Sequence, residues 1–221
     1  MNDIIKLLYS VYDFLKQNWL TLTIVAGVLV VVIVGILIYI SIITSEEEEL
    51  KVKFDVAYFN YINSQRDNQT LEQNFQNFLT TLQEISDTGK NYKIVAIANI
   101  ILGDIYYNSE SRAYDRALSY YSKATNSSSE FLRIVAIYNV AQTLEEMSMF
   151  DDALKHYESI YKNYPKSFLA PISIIKSAEI NYNLGNLEKA RELYSNFTNN
   201  YSDSESMMIA NLIELVIQQT N

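Results

Sequence analysis

No cysteine occurs among the 221 residues. Disulfides, thiolate metal sites, iron–sulfur clusters, a cysteine nucleophile and an N-terminal lipid on cysteine are thereby excluded. One histidine, His156, leaves no material for a His-rich metal site and little for a His general base. Five glycines and two prolines are few against average usage of roughly 7% and 5%. Turn-rich β folds and Gly-rich phosphate loops are therefore not expected. Eighteen tyrosines and nine phenylalanines, with abundant Ile and Leu, still supply a core. The composition points to an all-α chain that is not an enzyme and holds no cofactor or metal.

Charge is also missing from one long stretch. From Gln17 to Ser45 no residue is charged, a run of 29. Residues 20–43 are nearly all Leu, Ile, Val, Ala and Gly; as a helix they reach roughly 36 Å, enough to cross a hydrocarbon core of about 30 Å with some tilt. Trp19 and Tyr39 suit the interfacial aromatic belt. Gly27 and Gly35 share a face but stand eight apart, not at the four-residue spacing of a close-packing motif. A cleaved signal peptide needs a shorter apolar region ending in small residues, whereas this run ends in Ser45 and Glu46–Glu49. The expected organisation is a leader over residues 1–18, a membrane-spanning helix over 19–44 and a polar domain over 45–221.

In the leader, Ile4, Ile5, Leu7, Leu8, Val11, Phe14 and Leu15 recur at helical spacing opposite Lys6, Ser10, Asp13 and Gln17. This pattern is either an amphipathic helix at the membrane surface or an extension of the span. Lys6 and Lys16 on one side balance Lys51 and Lys53 on the other, so the positive-inside count gives only a weak preference for a cytoplasmic N-terminus. Beyond Ser45 the chain holds 15 basic and 24 acidic residues. That balance repels nucleic acid and anionic headgroups, so no nucleic-acid partner is expected. The Glu46–Glu49 run reads as a solvated helix start favoured by the helix dipole.

A repeat decides the fold. Residues 133–165 carry Val140-Ala141, Leu144, Ala153, Tyr157 and Pro165. At matching spacings, residues 170–202 carry Ala178, Gly185, Ala190, Tyr194 and Phe197, and residues 95–124 carry Leu102-Gly103, Tyr106, Ala117, Tyr121 and Ala124, with two extra residues in the turn. A helix–turn–helix unit near 34 residues, small where its helices cross and aromatic between layers, is the tetratricopeptide pattern. Residues 47–64 and 71–86 read as a degenerate first pair, and Glu205 to Gln218 as a last helix capped by Ser202 or Asp203. The fold class is thus an all-α tetratricopeptide-repeat α-solenoid behind a leader and one span.

With Phe14-Leu15-Lys16-Gln17-Asn18-Trp19 before the span and the helical repeats after it, the chain resembles the YfgM family of ancillary translocon subunits. The resemblance implies a single-pass protein of the bacterial inner membrane with its repeat domain in the periplasm. It further implies association with Sec translocon subunits and periplasmic chaperones. An envelope scaffold holding one fixed partner is the alternative function for the same architecture.

In such arrays the first helix of each pair lines a concave groove. Counting from Gly103, Ala141 and Ala178 places Ile97, Ile100, Asp104, Tyr107 and Asn108 there, then Val135, Tyr138, Gln142 and Glu145, then Ile172, Ile175, Glu179 and Tyr182. None of these positions holds Lys or Arg, which argues against a clamp for carboxylate tails. An apolar and acidic groove suits an extended or partly unfolded polypeptide, or a basic amphipathic segment. Met208, Leu212, Leu215 and Val216 exceed what one capped helix face needs and form a second candidate interface, including for a homo-oligomer. Asp152, His156 and Ser159 fall in one row on a helix, which is no buried catalytic relay, and His156 is expected to be exposed.

Overall fold

The computed structural model describes residues 2–65 and 70–201, in eight helices; no strand occurs among the described residues. The chain divides into two compact units at Glu49/Leu50, five residues beyond the expected start of the polar domain.

The first unit is one run of helix, the greater part of α1 (Asn2–Ser64). No proline interrupts it and its two glycines fall early, at Gly27 and Gly35, so nothing in the sequence stops the helix between leader and span. Its apolar side chains point outward: Trp19, Val31 and Tyr39 are all exposed. None of the most apolar stretch is buried, and the helix is long and apolar enough to cross a membrane. The Glu46–Glu49 run lies inside α1 and not at a helix start, which corrects the dipole reading. Composition changes there, but no breaker accompanies the change.

In the second unit the last turns of α1 pair with α2 (Leu71–Asp87). Aromatic rings make this contact: Phe54 and Tyr58 lie 5.8 and 5.7 Å from Phe78, and Tyr61 stacks on the same ring at 5.5 Å. Three further pairs follow, α3 (Lys93–Tyr107) with α4 (Tyr114–Ala124), α5 (Glu130–Glu146) with α6 (Phe150–Asn163), and α7 (Leu169–Asn183) with α8 (Leu187–Asn200). Small residues stand at each crossing. Ala117, Ala153 and Ala190 are wholly buried, with Ala141 against Ala153 and Ala178 against Ala190 in common core clusters. A polar tie holds α2 to the next pair, in which Ser86 donates to Asn99 at 2.7 Å and Lys123 reaches the same Ser86 hydroxyl at 3.3 Å.

The turns close the pairs by one device used twice. Ser148 and Gly185 occupy equivalent left-handed positions, φ +60° and +78°. The following amides of Met149 and Asn186 donate back to the carbonyls of Leu144 and Asn181, both at 2.8 Å. This is the six-to-one bond that ends a helix on a left-handed residue.

Gly103 has a different duty. A Cβ built there would stand 2.3 Å from the Tyr121 ring, and that ring is buried and fixed by a hydroxyl bond to Asp104. Gly103→Ala gains about 1 kcal/mol of helix propensity but forces overpacking worth about 1–3 kcal/mol. The expected result is a lower melting temperature, whereas Gly89→Ala, whose Cβ meets nothing, isolates the cost of a left-handed glycine without any clash. An unchanged or raised melting temperature for Gly103→Ala would mean that the ring yields freely.

Across layers the first helices touch: α3 packs on α5, and α5 on α7. The backbones of the second helices α4, α6 and α8 make no such approach to one another, and α4 and α6 join the next layer mainly through α5 and α7, the helices that follow them. Closer spacing of the first helices bends the array toward them, so they line its concave side.

Candidate functional site

The candidate groove is one face of α3, α5 and α7. At 3.6 residues per turn the four counted positions of each helix fall within about 80° of arc. Eleven of the twelve keep solvent access: Ile97, Ile100, Asp104 and Tyr107 on α3, Val135, Tyr138, Gln142 and Glu145 on α5, and Ile172, Glu179 and Tyr182 on α7. Ile175 is the correction. It is buried with Leu193, Tyr194 and Phe197 in the α7–α8 core, and Tyr182 packs over that cluster. The expectations on Met208, Leu212, Leu215 and Val216, and on the helix from Glu205 to Gln218, lie outside the described residues.

Three buried tyrosines, one each from α4, α6 and α8, approach the first helices. Tyr121 donates to Asp104 at 2.6 Å and Tyr157 donates to Glu145 at 2.8 Å. Tyr194, the third, lies within electrostatic reach of Glu179, yet its buried hydroxyl has no hydrogen-bond partner among the described residues. Burial and the adjoining carboxylates push all three phenols well above the ordinary tyrosine range, so they stay protonated donors. Asp104 keeps solvent access, yet partial desolvation of its carboxyl raises its pKa against the opposing bond from Tyr121.

Lys176 enters this face although the counting frame missed it. Its ammonium lies 3.5 Å from Glu145 and 3.4 Å from Glu179, bridging α5 and α7. Burial lowers its pKa, but Glu145 and then Glu179 more than reverse this and hold it above the ordinary lysine value. The signal was present in the sequence. Two residues before Ala178 is only about 40° of arc outside the counted positions, and a lysine stem easily spans that.

Glu146 and Tyr114 were missed as well. Tyr114 donates to Glu146 at 3.3 Å, and its ring lies 5.3 Å from that of Tyr107. The phenol of Tyr107 is raised first by burial and then by Glu146. Asp104, Glu145 and Glu146 sit in the last turns of α3 and α5, and no basic residue stands in the last turn of α3, α5 or α7. Carboxylates at helix C-termini oppose the dipole by about 0.3–1 kcal/mol each. This edge of the groove is therefore negative by side chain and by backbone. At the other end of the first helices, Phe131 and Phe168 stack at 5.7 Å, both exposed.

The row of Asp152, His156 and Ser159 assembles no relay. Asp152 pairs with Lys155 at 2.7 Å, and the Ser159 hydroxyl donates to the His156 carbonyl. His156 is half-buried instead of exposed, and burial lowers its pKa. No group of His, Asp and Glu among the described residues is arranged to hold a metal.

Two segments, residues 135–167 and 173–204, match the family model described as Tetratricopeptide repeat. They overlap the α5–α6 and α7–α8 pairs, beginning five residues into α5 and four into α7, and are offset by two or three residues from the units counted in the sequence. The α3–α4 pair lies outside the matched segments. No curated protein matches the chain by sequence. The fold is an all-α tetratricopeptide-repeat solenoid following an apolar helix. Repeats of this kind are protein-interaction modules and are generally not catalytic.

Proposed function

We propose that the chain is a single-pass protein of the bacterial inner membrane, its N-terminus cytoplasmic and its repeat domain periplasmic. It serves Sec-dependent protein translocation, either at the channel or by recruiting periplasmic chaperones, as the likeness to YfgM-type subunits suggests. The supporting observation is the pairing of two features: an apolar stretch of α1 with none of it buried, and repeats that present an accessible aromatic and acidic groove. The first belongs in a lipid bilayer and the second takes protein or peptide. Neither the domain limits nor the groove assignment needs a cofactor or metal.

The test is in-cell photo-crosslinking with mass spectrometry, one reactive residue replacing Val31 in the apolar stretch and another replacing Tyr182 in the groove. Translocon subunits at the first position and varied polypeptides or chaperones at the second are expected. One dominant, stoichiometric folded partner would favour the envelope scaffold instead. Tyr138→Ala with Tyr182→Ala should reduce capture several-fold without unfolding the array, because both rings keep solvent access. Undiminished capture would remove the groove from the reading.

A further inference from the structure

The groove has two seams between first helices, and they differ in charge. At the α5–α7 seam Lys176 lies between Glu145 and Glu179. The three corresponding positions at the α3–α5 seam are Asn139, Gln142 and Tyr107, all uncharged. Beside that seam stand Asp104 and Glu146, whose hydrogen-bond partners are the hydroxyls of Tyr121 and Tyr114; neither carboxylate forms an ion pair among the described residues. Both are exposed, and the two rings of Tyr107 and Tyr114 meet beside them. The array thus shows what one seam does with an ammonium, and offers the other seam with carboxylates and aromatic faces but no cation.

We propose that the α3–α5 seam seats a lysine or arginine side chain of an extended peptide, held by Asp104 and Glu146 and stacked on Tyr107 and Tyr114, so that the partners of this groove are basic segments. Charge complementarity selects this occupant. The groove edge carries Asp104, Glu145, Glu146 and Glu179 against the single Lys176, and three helix C-termini add negative potential. Tyrosine faces attract a cation, and do so more strongly where water is displaced. A guanidinium can also bond a carboxylate in two places.

This inference rests on the groove reading above, and the experiment separates the two. The full chain in lipid nanodiscs is titrated with a fluorescein-labelled decapeptide alternating leucine and arginine, and with its citrulline counterpart, which keeps the shape and loses the charge. The arginine peptide should bind about tenfold more tightly, the span of one well-placed cation–aromatic and ion-pair contact, and its affinity should fall as salt rises. Asp104→Asn with Glu146→Gln should erase the preference while leaving citrulline binding intact; Asn keeps an acceptor for Tyr121. Glu188→Gln, on the exposed face of α8, should change nothing. Unchanged helix content and melting temperature confirm that the double variant is folded. Equal binding of both peptides, abolished by Tyr138→Ala with Tyr182→Ala, would overturn the cation seat and leave the groove standing. So would an arginine preference that survives the double carboxylate variant. Binding of neither peptide would overturn both.

Discussion

Tyr157→Ala should lower the stability of the repeat array by about 3–5 kcal/mol, the range for truncating a fully buried aromatic. Tyr157 is wholly buried, touches Tyr138 at 5.6 Å and shares a core with residues of α4, α5, α6 and α7. A cavity there separates layers as well as helices. In a stacked array each layer is stabilised mainly by its neighbours, so loss in the middle weakens both sides. At about 2–4 °C per kcal/mol for a domain of this size, the melting temperature should drop by about 10 °C. Native-state hydrogen exchange should show the loss of protection centred on α5, α6 and α7. Tyr157→Phe keeps the ring and gives up one hydrogen bond, about 0.5–1.5 kcal/mol; Glu145 retains Lys176. A melting temperature for the alanine variant within 2 °C of the parent would show that the layers are not joined through this ring.

The second large effect concerns the apolar helix. Arginine at the centre of a membrane helix costs about 2.5–3.5 kcal/mol, while Leu, Ile or Val contributes about −0.3 to −0.6 kcal/mol. Residues 20–43 hold mainly those three types, so two arginines offset most of the favourable insertion energy. Val28→Arg with Val32→Arg should move the protein from the carbonate-resistant membrane fraction into the soluble or degraded pool. Val52→Arg with Val56→Arg, equally exposed on α1 but beyond the glutamate run, should leave membrane retention as it was. Retention of the first pair at parental level would exclude a span at this position.

How much of this was legible follows from which residues carry position-specific duties. The alanines at 117, 153 and 190 gave the period and the three crossings, because only small side chains fit where helices meet. The first pair was also legible: residues 71–86 were expected and α2 is Leu71–Asp87. The limits of α1 were not, since charge marks solvent exposure while a helix needs a breaker to end, and none occurs between Gly35 and Ser64. In the groove, backbone periodicity placed the face but not the depth of each side chain. Ile175 was lost to the core, and long residues just outside the arc, Lys176 and Glu146, entered through the reach of their stems. Turn residues were read unevenly. Gly185 announced its left-handed position, whereas Ser148 occupies the same one with nothing in its residue type to mark it.

The spacing of the second helices bears on mechanics. The backbones of α4, α6 and α8 stand farther apart than those of α3, α5 and α7. Among the described residues the α6–α8 step is joined only by Tyr161 on the α7–α8 core and by the Tyr201 hydroxyl on the Pro165 carbonyl. The outer surface can therefore spread or close with less packing to break, while the inner row acts as the pivot line. Bending about that line changes the width of the groove cheaply, and twisting the inner row does not. The array is compliant in one direction and stiff in the other. Segments of different girth can then be gripped by the same residues through a change of curvature.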